Sequence, residues 1–345
     1  MAEAETRARP TYRDVARLAG TSQATVSLVL NGRDSKLGIS AATRQAVLDA
    51  ARELGYTPDL GARRLRDARA GAAAPELTLA ILRPAGTPVG LSGRVIEAAA
   101  GGLAEQAPTA QLVVEEYQPG HLDEHPGLRV AARFHGAILT SLTPADEAFL
   151  EAHDLPVPVV AFQRQLTRHA CVDVDNVAGG LAVTRHLLRR GRRRIAAVGW
   201  ASVPSRAVER RLEGLRTALA EAGLAGTERV EWVPELSEAG GAAGGAALLA
   251  AARPDAILAL SDVIALGVLS AVHRTGRRVP EDVAVAGYDD LPFAPYLEPP
   301  LTTVRLPYEA MGRAAVSWLI GAVRGRAAGR LAERYQPELV IRDST

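Results

Sequence analysis

From residue 76 onward, the chain alternates short apolar runs with stretches of helical periodicity, and this alternation restricts the fold more than any other feature. The runs have the length of strands; they are LTLAIL, QLVVEE, GAILTS, VPVVAF, VDVDN, RRIAAVGW, RVEWV, DAILAL and DVAVAG. Near-continuous apolar strands between amphipathic helices are typical of parallel sheets that are covered on both faces. The pattern predicts two doubly wound α/β lobes, the second beginning near VDVDN.

The first sixty residues follow a different pattern, that of three short helices. Gly20 interrupts an apolar-periodic run, and the helices on its two sides are predicted to start after Thr11 and Ser22. Thr11 and Asp14 have the spacing of a capping box, and Ser40 is placed to cap a third helix. Two helices joined by a glycine-containing turn are typical of the helix-turn-helix, whose second helix enters a DNA major groove. The alternative is an ordinary helical hairpin.

The distribution of charge favours the DNA-binding interpretation. Residues 1–70 contain twelve Lys and Arg against eight Asp and Glu, whereas the remainder contains 28 against 31. The net charge of +1 for the whole chain therefore conceals a basic N-terminal domain. A basic excess confined to one small domain is the electrostatic pattern expected of phosphate binding.

Composition excludes several other classes of protein. Cys171 is the only cysteine, so an intramolecular disulfide framework is excluded. The N-terminus lacks the apolar segment of a signal peptide, and no apolar run reaches the ~18 residues that span a bilayer. We therefore expect a cytoplasmic protein without a membrane segment.

Motifs for catalysis or cofactor binding are not found in the sequence. Lys36, the only lysine, is not preceded by the glycines of a phosphate-binding loop, and no G-x-S-x-G motif occurs. His121 and His125 have a spacing that would suit half of a metal site on a helix. The flanking Pro119, Gly120 and Pro126 favour a surface loop instead. We expect no enzyme activity, no cofactor and no metal.

The segments DVARLAGTSQATVSLVLNG and SAATRQAVLDAARELGYTPD together resemble the headpiece of the lactose-repressor and galactose-repressor family of bacterial transcription regulators. The intervening GRDSKLGI looks longer than the commonest family form. The resemblance implies a headpiece at 1–57, a hinge helix and linker at 58–75, and a two-lobed domain at 76–345 with the fold of periplasmic sugar-binding proteins. Lobe 1 would comprise about 76–162 and 305–330, and lobe 2 about 163–304 and 331–345. The chain would cross between the lobes three times.

The resemblance also implies which headpiece and hinge residues contact DNA. Gln23, Ala24 and Leu28 lie on the recognition helix, where side chains read base edges. The hinge segment PDLGARRL resembles a family segment that becomes helical only when two copies meet over the minor groove. In that helix Leu65 would be the wedge between base pairs, with Ala62 on the same face and Arg63 near phosphates. Polar side chains expected at phosphates are Thr11, Ser22, Thr25, Ser27, Asn31 and Ser40.

The carboxyl ends of the strands in both lobes should face one cleft, which is where open α/β folds bind ligands. Arg211, three residues before Gly214, matches the family position whose guanidinium binds ligand oxygens, and Asp289 would accept hydrogen bonds from ligand hydroxyls. Three further expected effector contacts depart from the residues common in the family: Gln163, Ser261 and Leu236. Two more, Ala85 and Val89, lie in the loop after the first strand of lobe 1.

Neighbouring polar residues have simpler interpretations. Asn176 is predicted to cap the helix that follows VDVDN. Asp290 is an alternative loop-ordering residue beside Asp289. The charged residues Arg206, Glu209 and Arg210 begin a helix and are expected to face solvent.

These features predict a ligand-responsive transcriptional regulator, a repressor that binds a near-palindromic operator as a homodimer. It is expected in the cytoplasm, associated with the nucleoid. A small polar, sugar-like effector is expected between its lobes. The chain ends at Thr345 without the C-terminal heptad helix of tetrameric relatives, which favours a dimer. One alternative is a two-lobed solute-binding protein, which a signal peptide would have supported. The other is a sugar-processing enzyme, which would need an acid/base pair or a nucleophile.

Overall fold

The computed structural model describes residues 11–30, 39–54, 77–86, 89–129, 133–201, 206–327 and 329–345. The N-terminal part forms three helices, α1 (Tyr12–Leu18), α2 (Gln23–Leu30) and α3 (Ala41–Glu53). Val15, Val26 and Val47 are fully buried where these helices meet. The predicted headpiece with its small core is therefore present.

Within the described residues, the first lobe contains a six-stranded parallel sheet. In order across the sheet, its strands are β11 (Ala332–Tyr335), β5 (Ala170–Val174), β4 (Val159–Phe162), β3 (Gly136–Leu139), β1 (Thr78–Pro84) and β2 (Gln111–Tyr117). Its helices are α4 (Val89–Gln106), α5 (Pro126–Arg129), α6 (Pro144–Ala152) and α11 (Tyr308–Val323), with a 3-10 helix at Leu122–Glu124.

The second lobe contains a four-stranded parallel sheet among the described residues. Its strands, in order, are β7 (Arg229–Val233), β6 (Ile195–Trp200), β8 (Ala256–Ala259) and β9 (Ala284–Ala286). Its helices are α7 (Asn176–Arg189), α8 (Arg206–Glu221), α9 (Glu238–Ala251) and α10 (Asp262–Arg274), and a 3-10 helix follows at Ala294–Tyr296.

A short antiparallel ribbon lies at the junction of the lobes, formed by β10 (Thr303–Arg305) and β12 (Glu338–Val340). In the described part of the chain, the backbone crosses between the lobes after β5, after β10 and after β11. It ends in the second lobe, where the Ser344 carbonyl accepts a hydrogen bond from the Val285 N–H. These are three crossings, the number that the family resemblance implies.

Both sheets are covered on both faces, as the apolar strands predict. One continuous core lies beneath α4 and α11 in the first lobe and beneath α7 and α8 in the second, and it includes Tyr288, Val304 and Tyr308 at the junction. Separate cores fill the opposite face of each sheet.

The predicted lobe boundary near residue 163 is wrong in its detail. The VDVDN strand, β5, pairs in parallel with β4 and therefore belongs to the sheet of the first lobe. The segment 331–345 is divided, since β11 pairs with β5 whereas Ser344 bonds to Val285. An apolar run does not specify its pairing partner, and parallel pairing depends on contacts between distant segments.

Candidate DNA interface and effector cleft

The three helix starts of the headpiece have the local structure that their sequence predicts. The Asp14 carboxylate accepts hydrogen bonds from the N–H and hydroxyl of Thr11, at 2.9 and 2.7 Å. The Ser22 hydroxyl accepts from the Thr25 N–H at 3.0 Å, and the Ser40 hydroxyl accepts from the Thr43 N–H at 3.1 Å. These bonds satisfy first-turn amides, which otherwise lack partners within a helix.

The turn between α1 and α2 depends on Gly20, whose φ is +62°. This left-handed conformation is costly for residues with a Cβ atom. It allows α2 to leave α1 directly and to pack Val26, Val29 and Leu30 into the headpiece core.

Because α2 buries that apolar stripe, its other face is available to a partner. Gln23 and Ala24 are exposed, and Leu28 is half-buried. The Ser22 and Thr25 hydroxyls lie 2.9 Å apart at the start of the helix. Thr11 and Ser40 are exposed, and Ser27 is half-buried. The remaining predicted DNA contacts lie outside the described residues: Asn31, Ala62, Arg63 and Leu65.

The main polar cluster of the second lobe is centred on Arg211 of α8, whose exposed fraction is 3%. Its guanidinium donates from Nε to Asn176 Oδ1 at 3.1 Å, from Nη1 to the Leu260 carbonyl at 2.5 Å, and from Nη2 to Asp289 Oδ1 at 3.0 Å. A guanidinium carries five N–H groups. Two N–H groups, one on each terminal nitrogen, therefore have no acceptor among the residues that the structure describes.

Asp289 completes this cluster from the loop after β9, with an exposed fraction of 1%. Its Oδ2 accepts from the Ser261 hydroxyl at 3.0 Å, and its N–H donates to the Val304 carbonyl at 2.9 Å. Its φ of +109° lies outside the regions that side-chain-bearing residues normally adopt. Desolvation raises the pKa of Asp289, whereas the Arg211 charge and the Ser261 hydroxyl oppose that rise.

Tyr288 forms the floor beneath Arg211, since the guanidinium carbon lies 3.8 Å from the ring centroid. This distance is typical of a cation–π contact. A Cβ atom at Gly179 of α7 would lie 2.1 Å from the Tyr288 hydroxyl oxygen, so this close approach requires glycine. The Tyr288 hydroxyl is buried and has no hydrogen-bond partner among the described residues.

The first lobe contributes Gln163 and Tyr308 on the side facing this cluster, where the charges of Asp289 and Arg211 act on Tyr308. Gln163 follows β4 with a φ of +57°, and its Nε2 donates to the Tyr308 hydroxyl at 3.2 Å. The Tyr308 ring stacks on Phe162, with centroids 6.1 Å apart, and the Arg94 guanidinium carbon lies 5.7 Å from the ring centroid of Tyr308. Burial raises the pKa of Tyr308, and the Asp289 carboxylate of the other lobe adds to that rise.

Asp262, at the start of α10, orders the loop that carries Asp289. Its carboxylate accepts from the Leu291 N–H at 2.7 Å and from the Thr303 hydroxyl at 2.6 Å. Burial, together with the nearby Asp289 carboxylate, raises the pKa of Asp262 well above its ordinary value. Asp290 also organises this loop, since it lies 2.7 Å from both Arg305 and Arg342.

The structure brings three of the predicted effector residues into contact, namely Arg211, Asp289 and Ser261 of the second lobe. Gln163 of the first lobe is linked to them through Tyr308, which lies near enough to Asp289 and Arg211 to interact with their charges. Leu236 is instead buried in the core of the second lobe. Ala85 is exposed just beyond β1, and Val89 begins α4. Their roles in ligand binding stay predictions.

One local prediction is wrong. Asn176 does not cap α7; the Asp175 carboxylate takes that position and accepts the Ala178 N–H at 2.9 Å, while Asn176 accepts from Arg211. Arg206 is exposed, as predicted, and its Nε also lies 3.1 Å from Glu147 Oε2 of the first lobe. Tyr288, Tyr308 and Asp262 were also missed, since no sequence motif distinguishes them from core residues.

The histidine-containing segment has a structural role. His125 is buried, with Nε2 3.3 Å from Glu115 and Nδ1 accepting the Gly127 N–H at 3.2 Å. No group of three or more His, Cys, Asp or Glu residues in the described part of the chain is arranged to hold a metal ion.

Across the same residues, no helix combines the length and apolar content needed to cross a bilayer.

Two family models match the chain. The bacterial regulatory proteins of the lacI family match residues 11–59, and a periplasmic binding protein-like domain matches residues 184–345. Three similar proteins are helix-turn-helix transcriptional regulators. CelR of Thermobifida fusca is 35% identical, with 99% of each chain covered. MalR of Streptomyces coelicolor is 36% identical, with 96% of this chain and 95% of MalR covered. PurR of Vibrio cholerae is 32% identical, with 97% of each chain covered.

Two solved structures extend the similarity to the whole architecture. A complex of the regulator CelR with cellobiose has a TM-score of 0.67 and 30% identity, covering 98% of this chain and 100% of that one. The lac repressor dimer bound to operator and the anti-inducer ONPF has a TM-score of 0.66 and 26% identity, covering 98% and 99%. The similarity spans the headpiece and both lobes together.

Proposed function

Because this chain belongs to the lacI family of bacterial regulatory proteins, we propose that it is a repressor that binds a near-palindromic operator as a homodimer and is controlled by a small, sugar-like effector between its lobes. It is a DNA-binding transcriptional regulator and not an enzyme, and its full-length relatives are also transcriptional regulators. Since its target is chromosomal DNA, its proposed location is the cytoplasm, in association with the nucleoid.

The Arg211–Asp289 pair is the observation that carries the effector class. The two charges balance, so the site has no excess charge that would favour an ionic ligand. The two remaining N–H groups of Arg211 suit adjacent hydroxyl oxygens, and the planar guanidinium holds them in a fixed geometry. A neutral, polyhydroxylated molecule therefore fits best. Cellobiose, which the similar CelR binds, belongs in the first set of compounds to test.

Dimer formation is supported by apolar surface on both lobes. Val114 of the edge strand β2 is exposed, and so is Tyr296, with an exposed fraction of 86%. A groove that includes the next residue, Leu297, has a mixed apolar and polar lining that also contains Leu266, Leu269, Ser270, His273, Arg274 and Glu298. Exposed apolar surface of this kind is typical of protein interfaces. A second copy of this chain is the proposed occupant, as in the lac repressor dimer.

The test is a gel shift with DNA from upstream of this gene, followed by titration with a panel of mono- and disaccharides. We expect a specific shift that one class of sugar alters. Absence of any specific shift would contradict operator binding. A shift that no neutral polyol affects but that an anionic metabolite alters would contradict the effector class.

A further inference from the structure

We propose that Glu147 and Arg206 form an interlobe clamp that holds the cleft closed and positions Gln163 and Arg211 for the effector. Glu147 lies in the first turn of α6 in the first lobe, and Arg206 is the first residue of α8 in the second. Arg206 Nε is 3.1 Å from Glu147 Oε2. This inference rests on the proposed effector role of the cleft.

Glu147 also connects to the wall of the cleft through a second arginine. Arg164, from the same lobe, is buried, and its Nε lies 2.8 Å from Glu147 Oε1. The Arg164 guanidinium donates to the carbonyls of Gln163 and Leu142, at 2.8 and 2.7 Å. It thereby fixes the backbone of Gln163, whose φ is in the left-handed region. Glu147 thus binds both the Gln163 loop and the opposite lobe.

The other end of the clamp is on the helix that carries Arg211. Arg206 and Arg211 both lie on α8, so a contact that fixes the start of this helix also fixes Arg211 relative to the first lobe. Both helices start at the carboxyl end of a strand, α6 after β3 and α8 after β6. The clamp therefore lies on the side of the two sheets that faces the cleft.

Local helix stability does not explain Arg206. A cation at a helix N-terminus is disfavoured by the helix dipole, whereas an acidic residue there is favoured. Glu147 is well placed by this rule, and its exposed fraction is 8%. The Arg206 side chain is 61% exposed, so it can be replaced without disturbing a core. Its contact with Glu147 is the interaction that gives this position a role.

The experiment measures the distance between the lobes by double electron–electron resonance, in the full chain with Cys171→Ser. Spin labels on Ala152 and Ala220, exposed at the far ends of α6 and α8, report rotation of the lobes. Labelled chains are mixed with excess unlabelled chain so that distances within one chain dominate. Neither operator nor effector is needed, so this result is independent of the test of the proposed function.

We expect Arg206→Gln to lower the ratio of closed to open populations by about two- to fivefold, the range typical of a solvent-accessible ion pair. Glu147→Gln should open the cleft at least as much, because it also weakens the contact with Arg164. Adding Arg206→Gln to Glu147→Gln should change little, because the interlobe contact is already lost. Raising sodium chloride from about 0.05 to 0.5 M should reproduce the opening in the parent chain.

Arg190→Gln is the matched control, because this exposed arginine of the same lobe loses the same charge and has no side-chain contact with the described part of the first lobe. It should leave the distances unchanged. An unaltered distance distribution in Arg206→Gln would overturn the clamp. Equal opening in the Arg190 control would do the same, since it would show a general charge effect.

Discussion

Arg211 Nη2 donates to Asp289 Oδ1 at 3.0 Å, and both side chains are almost completely removed from solvent. Two isolated charges would be costly in such a place, so each depends on the other. The pair joins α8 to the loop after β9, and two N–H groups of the arginine have no acceptor in the described part of the chain. It thus combines a structural role with a site that can bind hydroxyl oxygens.

The first prediction is that Asp289→Asn destabilises the protein by about 3 kcal/mol or more, because it leaves the Arg211 charge buried without a counter-ion. Urea unfolding followed by circular dichroism measures this change. Asp343→Asn, on an exposed carboxylate, is the control and should change stability by less than about 0.5 kcal/mol. Equal stability of the two variants would mean that the pair is not buried in solution.

The second prediction concerns Asp262, whose raised pKa makes stability depend on pH. The folded protein retains this proton above about pH 4, where an unfolded aspartate has lost it. The folded state then binds more protons than the unfolded state, so the contribution of Asp262 to stability falls as pH rises from about 4 towards the folded-state pKa.

Asp262→Asn should remove that decline, as seen in urea midpoints measured over a pH series. Asp282→Asn is the contrasting control. Hydrogen bonds from Arg278 lower the pKa of Asp282, so its contribution has the opposite sign, being present above the unfolded pKa and lost as pH falls. An unchanged pH profile in Asp262→Asn would show that Asp262 is ionised in the folded protein.

The third prediction is that Gln23→Ala relaxes the preference for one base pair in each half-site by roughly 1–3 kcal/mol, because an exposed glutamine at the start of α2 can bond an adenine edge bidentately. Selection from randomised operators measures this preference. Gln45→Ala, on α3, serves as the control and should leave the selected sequence intact. The same selected sequence from the Gln23 variant would remove Gln23 from the reading set.

The fourth prediction concerns the hinge, where Leu65→Ala should weaken specific operator binding and spare binding to unrelated DNA. A wedge acts only where the duplex is bent and a base step is opened, whereas non-specific binding depends on phosphate contacts. Fluorescence anisotropy with both duplexes separates the two. A parallel loss of affinity for both would contradict the wedge role.

Local sequence patterns predicted the headpiece well, because caps such as Ser22 and the turn at Gly20 depend on near neighbours in the chain. The strands were found for the same reason. The pairing of β5 with β4 and β11 was not predictable, since it depends on contacts between segments distant in sequence. In the cleft, Arg211, Asp289 and Gln163 were identified by resemblance to a family. Tyr288, Tyr308 and Asp262 were missed because only the folded chain brings them to the site.

Coupling between the effector cleft and the operator site is tested most directly by reciprocal titration. Operator affinity is measured with and without saturating effector, and effector affinity with and without operator. Linkage requires the two ratios to be equal, and couplings of this kind are typically about 1–3 kcal/mol.

Arg211→Lys keeps the charge beside Asp289 but loses the planar guanidinium. It should bind operator normally and lose most of the response to effector. The predicted result is that the effector changes operator affinity by the same factor by which the operator changes effector affinity, and that both changes are lost together in Arg211→Lys. An effector that binds without changing operator affinity, or an Arg211→Lys protein that responds at the same effector concentration as the parent, would contradict the account.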